Sequence, residues 1–380
     1  MKLFSLREER KIKILLGHTS PKRIFFGESW LEGWLSRLRS NGFDVTPFSL
    51  IVNQSMPVMF FSELNFRWRN RDKDLLEMYE RLQTELEGYD AFICFNGANI
   101  HPEFVKSLSV TTVYGCFDDP ESSEKLSMPV APSFDIAMVG NIAELEAYRK
   151  WGCENVYWWP LGFRYEDYNP LSTERQLFES ERSVDVTLLC ERETRYRIKR
   201  VDKFANEFKN GKYYGKGWPS GFLDEEFRIP LLQDTKIGIN IHNSTGPINF
   251  RTFYLPANGV MQICDNKSNL GKIFELNKEV IGYNSIEEAI ELTHYYLKNP
   301  DERLKIAKAG WNRALSDYNE VKCFQRVVDA IKSCEVINKK SALLFDNITH
   351  QKPVQKYKLT FYFLYIKFRK KISLLYRNFL

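Results

Sequence analysis

Apolar residues along this chain fall into two alternating rhythms. Short, nearly unbroken apolar runs at 12–16, 91–95, 111–117 and 135–139 predict strands, because a strand covered on both faces carries few polar alternates. Between them apolar positions recur every three or four residues. Trp30, Leu31, Trp34, Leu35 and Leu38 do so, and so do Leu75, Leu76, Tyr79, Leu82 and Leu86, with further helical segments at 101–108 and 142–151. Strands alternating with helices predict a parallel sheet covered on both faces. Residues 161–183 lack a period and read as a linker. The alternation then restarts with strands at 184–190, 212–215, 236–241 and 260–264, and helices at 196–208, 285–298, 301–315 and 319–334. The chain is therefore expected to be α/β, with two Rossmann-like domains, 1–165 and 166–335, and a terminal segment, 336–380. The strand ends of the two domains would face a central cleft.

Length supports this division, since 380 residues exceed one typical core of roughly 100–200 residues. A hydrophobic share of 43% with 27% charged residues excludes disordered and collagen-like chains. The net charge of +5 is unevenly spread: residues 347–380 hold eight Lys or Arg and no Asp or Glu, so the remaining body is slightly acidic. Proteins that wrap nucleic acid spread positive charge over a folded face, so nucleic acid is not an expected partner. Seven scattered cysteines, with no C-x-x-C pair, read as buried thiols in a reducing compartment. The five histidines show no ligand spacing, and no metal is expected. The charged start of the chain lacks the apolar stretch of a signal peptide, which points to a cytoplasmic protein.

The chemistry concentrates in the second half. Asn240-Ile-His242, Asn249-Phe-Arg-Thr-Phe253 and Ala257-Asn-Gly259 read as a strand end, a loop, a helix start and a glycine. Arg251 would stand at the head of that helix, where a cation and free N–H groups suit a phosphate or diphosphate. A surface ion pair is the plainer alternative. Together with Ile263-Cys-Asp265 and Lys278-Glu-Val-Ile-Gly-Tyr-Asn-Ser285, this stretch of 240–315 resembles the C-terminal domain of the "glycosyl transferases group 1" families. The nearest branch is that of the spore-maturation-like glycosyltransferases. The resemblance implies a GT-B fold, a nucleotide-sugar donor as substrate and no cofactor.

On that resemblance Asn240, His242, Asn249 and Arg251 would contact donor phosphate or ribose, with Gly259 allowing close packing. Tyr214-Gly-Lys-Gly-Trp218, with Gly215 and Lys216, would lie near the nucleotide base. Arg197 and Lys199 would be cations near the phosphates, or else part of a solvated helix face. The resembled family usually carries glutamate where this chain has Tyr254, which touches donor recognition directly. The first domain would supply acceptor contacts and a general base, for which His18, Asp118 and Asp119 are candidates at strand ends. A polar loop histidine and a turn-capping Asp-Asp-Pro are the plainer alternatives.

At the C-terminus, Phe361, Leu364, Phe368 and Ile372 recur at helical spacing, with Lys370 and Lys371 off the stripe. The apolar run at 361–366 is far short of the ~20 residues that span a bilayer. A basic amphipathic helix over 356–380 on an anionic membrane surface fits, with packing on the first domain as the alternative. The expectation is a glycosyltransferase on the inner face of the cell membrane that uses a glycan acceptor, lipid-linked, in polysaccharide or lipopolysaccharide synthesis. A catalytically silent membrane scaffold and a nucleotide-sugar epimerase are the rivals.

Overall fold

A computed structural model describes residues 11–19, 28–52, 57–95, 99–193, 197–243, 245–246 and 249–334. Two all-parallel sheets form its frame. The first orders its six strands β2-β1-β3-β4-β5-β6, from β1 (Lys13–His18), β2 (Asp44–Ser49), β3 (Ala91–Phe95), β4 (Thr111–Cys116), β5 (Ile136–Val139) and β6 (Asn155–Trp158). The second orders five strands β11-β10-β9-β7-β8, from β7 (Val184–Leu189), β8 (Lys212–Tyr214), β9 (Thr235–Asn240), β10 (Met261–Cys264) and β11 (Ile281–Gly282).

The apolar runs become strands because both faces are covered. In β1, Ile14 and Leu16 enter the core formed with α1 (Glu28–Ser40), while Leu15 enters the opposite one, under α2 (Phe61–Arg69) and α3 (Lys73–Glu85). In β3, Ala91 and Ile93 face the first core, and Phe92 and Cys94 the second. Short helices α4 (Pro102–Val105) and α5 (Leu145–Trp151) complete that second face. His101 starts α4, its Nδ1 accepting the Glu103 N–H.

Two elements escape the hydrophobic rhythm for a physical reason. Strand β2 contains Pro47, which lacks a donor and is tolerated at a sheet edge, where β2 lies. The segment read as a linker holds α6 (Glu174–Phe178), which begins with a capping box: Gln176 N–H donates to Thr173 Oγ1 and Thr173 N–H to Gln176 Oε1. The second sheet is flanked by α7 (Ile198–Glu207), α8 (Glu225–Asp234), α9 (Arg251–Ala257), α10 (Lys267–Leu270), α11 (Ile286–Lys298) and α12 (Pro300–Asp317).

The last helix, α13 (Glu320–Ser333), was expected with the second domain but packs on the first: Phe324, Val327, Val328 and Ile331 share a core with Ile14, Trp34 and Leu38. The chain therefore passes between the domains twice, and the two passages are stitched together. Phe163 N–H donates to the Tyr318 carbonyl (2.9 Å), and Glu320 N–H to that of Phe163 (3.1 Å). Gly162, with φ +67°, is needed there, since a Cβ would stand 2.6 Å from Tyr318 O. Arg37 of α1 ties both passages by bonding Glu166 and Glu320.

Candidate active site

In each sheet the strand order reverses at a switch point, β1/β3 in the first and β7/β9 in the second, and ligands of such sheets bind beyond the carboxyl ends of those strands. The two sets of strand ends share one cleft of about 630 Å³. Phe95, Phe117 and Asp118 line it from the first domain, and Leu161 and Arg164 from the first interdomain passage. Leu189, Glu191, Tyr214, Gly215, Phe222, Arg228, Asn249, Phe250, Arg251 and Tyr254 line it from the second domain.

Arg251 is the first residue of α9. Its Nε donates to Asn240 Oδ1 (3.1 Å), and its Nη atoms donate to the carbonyls of Leu189 (2.8 Å), the last residue of β7, and Ile241 (3.3 Å), the residue just after β9. No carboxylate among the described residues pairs with it, so its charge is held by neutral oxygens and stays uncompensated at the cleft wall. Asn240, wholly buried, is the hub of this wall. Its amide group donates towards Asn249 Oδ1, Thr252 Oγ1 and Gln262 Oε1, and its oxygen accepts from Asn249 and Arg251.

Behind the hub, His242 places Nδ1 2.6 Å from Asp265 Oδ1 and Nε2 3.3 Å from Thr252 Oγ1. Burial holds the imidazole below its ordinary pKa despite the carboxylate, so Nδ1–H donates to Asp265 while Nε2 accepts from the threonine. Burial would raise the Asp265 pKa, but His242 and Arg200 outweigh it and hold the group ionised. His242, Asp265 and Cys264 bring one potential ligand atom each within 4.8 Å of one another. Asp265 also bonds His242 and Arg200, and burial raises the Cys264 thiol well above its usual range.

Arg197, nearly buried, donates to the carbonyls of Glu191 (2.7 Å) and Ile241 (3.2 Å), while its Nε has no acceptor among the described residues. Burial, then the nearby Arg251, push its pKa below the ordinary value. Gly215 folds onto the end of β7: at φ +130°, a Cβ would lie 2.3 Å from Cys190 O. Trp218 secures this turn by donating Nε1–H to the same carbonyl (2.8 Å).

The expected site residues separate. Asn240, His242, Asn249, Arg251, Tyr254, Gly215 and Arg197 gather at the β7 and β9 ends. Lys199 is exposed on α7 outside the cleft, because α7 turns that position outward, and Lys216 is exposed beside Gly215. Gly259 follows the far end of α9, where at φ +69° it packs on Arg182 and Phe178, away from the cleft. Asp118 lines the cleft, whereas Asp119 turns into the core and accepts from Tyr148 Oη (2.5 Å). His18 is half-buried at the end of β1 but does not line this cleft. Tyr254 is 7% exposed, and its hydroxyl has no protein partner among the described residues. Burial raises it to about 12, so it remains protonated at neutral pH. Phe361, Leu364, Phe368, Lys370, Lys371 and Ile372 lie outside the described residues.

Sequence reasoning missed Arg164 and Arg228. Both bond the fully buried Asp167, at 2.8 and 2.7 Å, and both reach the cleft. The signal for Arg164 was its Arg-x-x-Asp spacing inside the segment read as a linker, whereas Arg228, 61 residues from Asp167, left none. It also missed Glu191 and the aromatic wall, which could be found as the residues just beyond strand ends.

Residues 192–329 match the family model described as "Glycosyl transferase-like". No curated protein matches the chain. Among solved structures, sucrose-phosphate synthase from Thermosynechococcus elongatus is similar at 12% identity and a TM-score of 0.60, covering 86% of this chain and all of that one. A glycosyltransferase from Rickettsia africae reaches 0.57 at 12% identity, covering 86% and 99%. HepE of Anabaena, solved with UDP and glucose, reaches 0.54 at 13% identity, covering 85% and 100%. The described residues contain no helix long and apolar enough to cross a membrane. The chain thus has the GT-B fold of two Rossmann-like domains, and its residues 192–329 are similar to the glycosyl transferase-like model.

Proposed function

We propose that this protein is a glycosyltransferase moving a sugar from a nucleotide-sugar donor to a glycan acceptor. The observation that carries the reading is a guanidinium with no carboxylate partner among the described residues, Arg251, lining one cleft with an exposed carboxylate, Asp118, between two switch points. Arg251 and the backbone around it stabilise charge developing on the leaving diphosphate, and Asp118 accepts the acceptor hydroxyl's proton. With that charge met by a fixed cation, the step needs no metal. The uncharged Tyr254 hydroxyl hydrogen-bonds the donor. The solved complex of HepE with UDP and glucose supports a nucleotide-sugar donor for a chain of this fold. The acceptor is lipid-linked, and the cationic segment 356–380 holds the enzyme at the inner face of the cell membrane in polysaccharide or lipopolysaccharide synthesis.

Thermal unfolding with UDP, GDP, CMP, ADP and dTDP tests the donor half. One nucleotide is expected to raise the midpoint, and Arg251→Lys, which keeps the charge but loses the forked contacts, to weaken its binding by about 1–3 kcal/mol. No shift with any nucleotide in the wild type would overturn the reading in favour of a silent scaffold.

A further inference from the structure

One contact between the domains lies at the rim of the cleft, apart from the stitched passages, and joins the loops that carry the two halves of the site. Asn141 follows β5 in the first domain and is 1% exposed. Its amide donates to the Asp119 carbonyl (3.1 Å) and to Thr245 Oγ1 of the second domain (3.2 Å), while its oxygen accepts the Ala143 N–H (3.1 Å). The Thr245 hydroxyl in turn donates to Glu144 Oε1 (2.7 Å). A hydroxyl offers one proton and accepts readily, so both capacities of Thr245 are met by the opposite domain. Gly246 makes the approach possible: a Cβ there would stand 2.0 Å from Asn141 Oδ1.

The position of this bridge gives it meaning. Asn141 grips the residue next to Asp118, and Thr245 lies a few residues before Asn249 and Arg251. We infer that Asn141, Thr245 and Glu144 form a latch that sets the spacing between Asp118 and Arg251, with Asn141 and Thr245 as positioning residues. Thr245 is exposed, so its hydrogen bonds compete with water and break readily when the cleft must open. With the latch closed, the donor wall and the carboxylate stand at working distance. With it open, the nucleotide remains on the second domain but the carboxylate is out of reach. The inference rests on the transferase reading for its chemistry, but its geometry is independent of it.

The test compares Thr245→Val, which keeps the shape and loses the hydroxyl, with Thr245→Ser, which restores it. Glu144→Gln serves as a second variant that keeps an acceptor oxygen and removes the charge. Turnover by Thr245→Val is expected to fall about tenfold while its affinity for the stabilising nucleotide changes less than twofold, with Thr245→Ser near wild type and Glu144→Gln between them. Small-angle scattering should show a larger radius of gyration for Thr245→Val than for the wild type. Unchanged turnover and radius in Thr245→Val would overturn the latch, as would a loss that Thr245→Ser fails to restore. If no nucleotide binds the wild type, the transferase reading fails, and the scattering comparison alone decides the latch.

Discussion

The two walls of the cleft are built from different materials although both end parallel strands. Behind rings of its own, Tyr214, Phe222, Phe250 and Tyr254, the second domain builds a polar network in which Asn240, Arg251, Thr252 and His242 use one another and the strand-end carbonyls as partners. The first domain offers rings: Phe95 and Phe117 lie 5.5 Å apart between centroids, each packs on Trp159, and Phe95 also meets Trp34. A polar wall of this kind fixes one geometry, since any slip leaves a buried donor unmet. An aromatic wall offers area and tolerates more shapes. On the proposed reading, the difference teaches that selectivity for a donor would rest on hydrogen bonds, and accommodation of an acceptor on surface.

The sharpest way to break this contrast is to remove the hub. Asn240→Ala strands the Asn249 amide, Thr252 and Arg251 at once, and is expected to cost about 2–4 kcal/mol of stability, read as a lowered denaturant midpoint. An effect below about 1 kcal/mol would show that the polar wall does not depend on its centre.

A second test sets one buried histidine against the other. His101 is stacked on Trp68 and Phe61, and burial lowers its pKa from 6.5 to about 4. The folded chain then binds fewer protons than the unfolded chain between those values. This contribution is full above pH 6.5 and lost as pH falls through about 4. His242 is shifted in the same direction, but Asp265 opposes the shift. His101→Asn, which keeps an acceptor at the start of α4, is expected to remove about 2 kcal/mol of the acid-induced loss, measured as stability from pH 7 to pH 4. An unchanged acid profile would show that the aromatic stack does not exclude the proton.

The smallest effect probes the rings. Phe117→Ala should raise the acceptor KM roughly fivefold, about 1 kcal/mol, with nucleotide binding unchanged. A change in nucleotide binding instead would dissolve the division of labour between the walls.

Sequence pattern reached the central strands because β1, β3, β4 and β9 are buried on both faces and read as apolar runs. It missed β2, β6 and β11, which lie at sheet edges or have only two residues, where burial leaves little periodic trace. Arg251 was legible as a helix-start cation, since local order fixes where a helix begins. The orientation of a side chain is a tertiary fact. Lys199 and Gly259 belong to the same motifs as Arg197 and Arg251 yet lie away from the cleft. The Arg164–Asp167–Arg228 cluster joins residues 61 positions apart, and no local window contains it.

The return of α13 to the first domain has a mechanical consequence. The last described helix ends on the half that would receive the acceptor. If segment 356–380 grips a bilayer as proposed, that half becomes the fixed jaw, held beside the proposed lipid-linked acceptor. The nucleotide-carrying half is then the free jaw, swinging on the paired strands of chain at Phe163 and Tyr318 and reloading without releasing the surface.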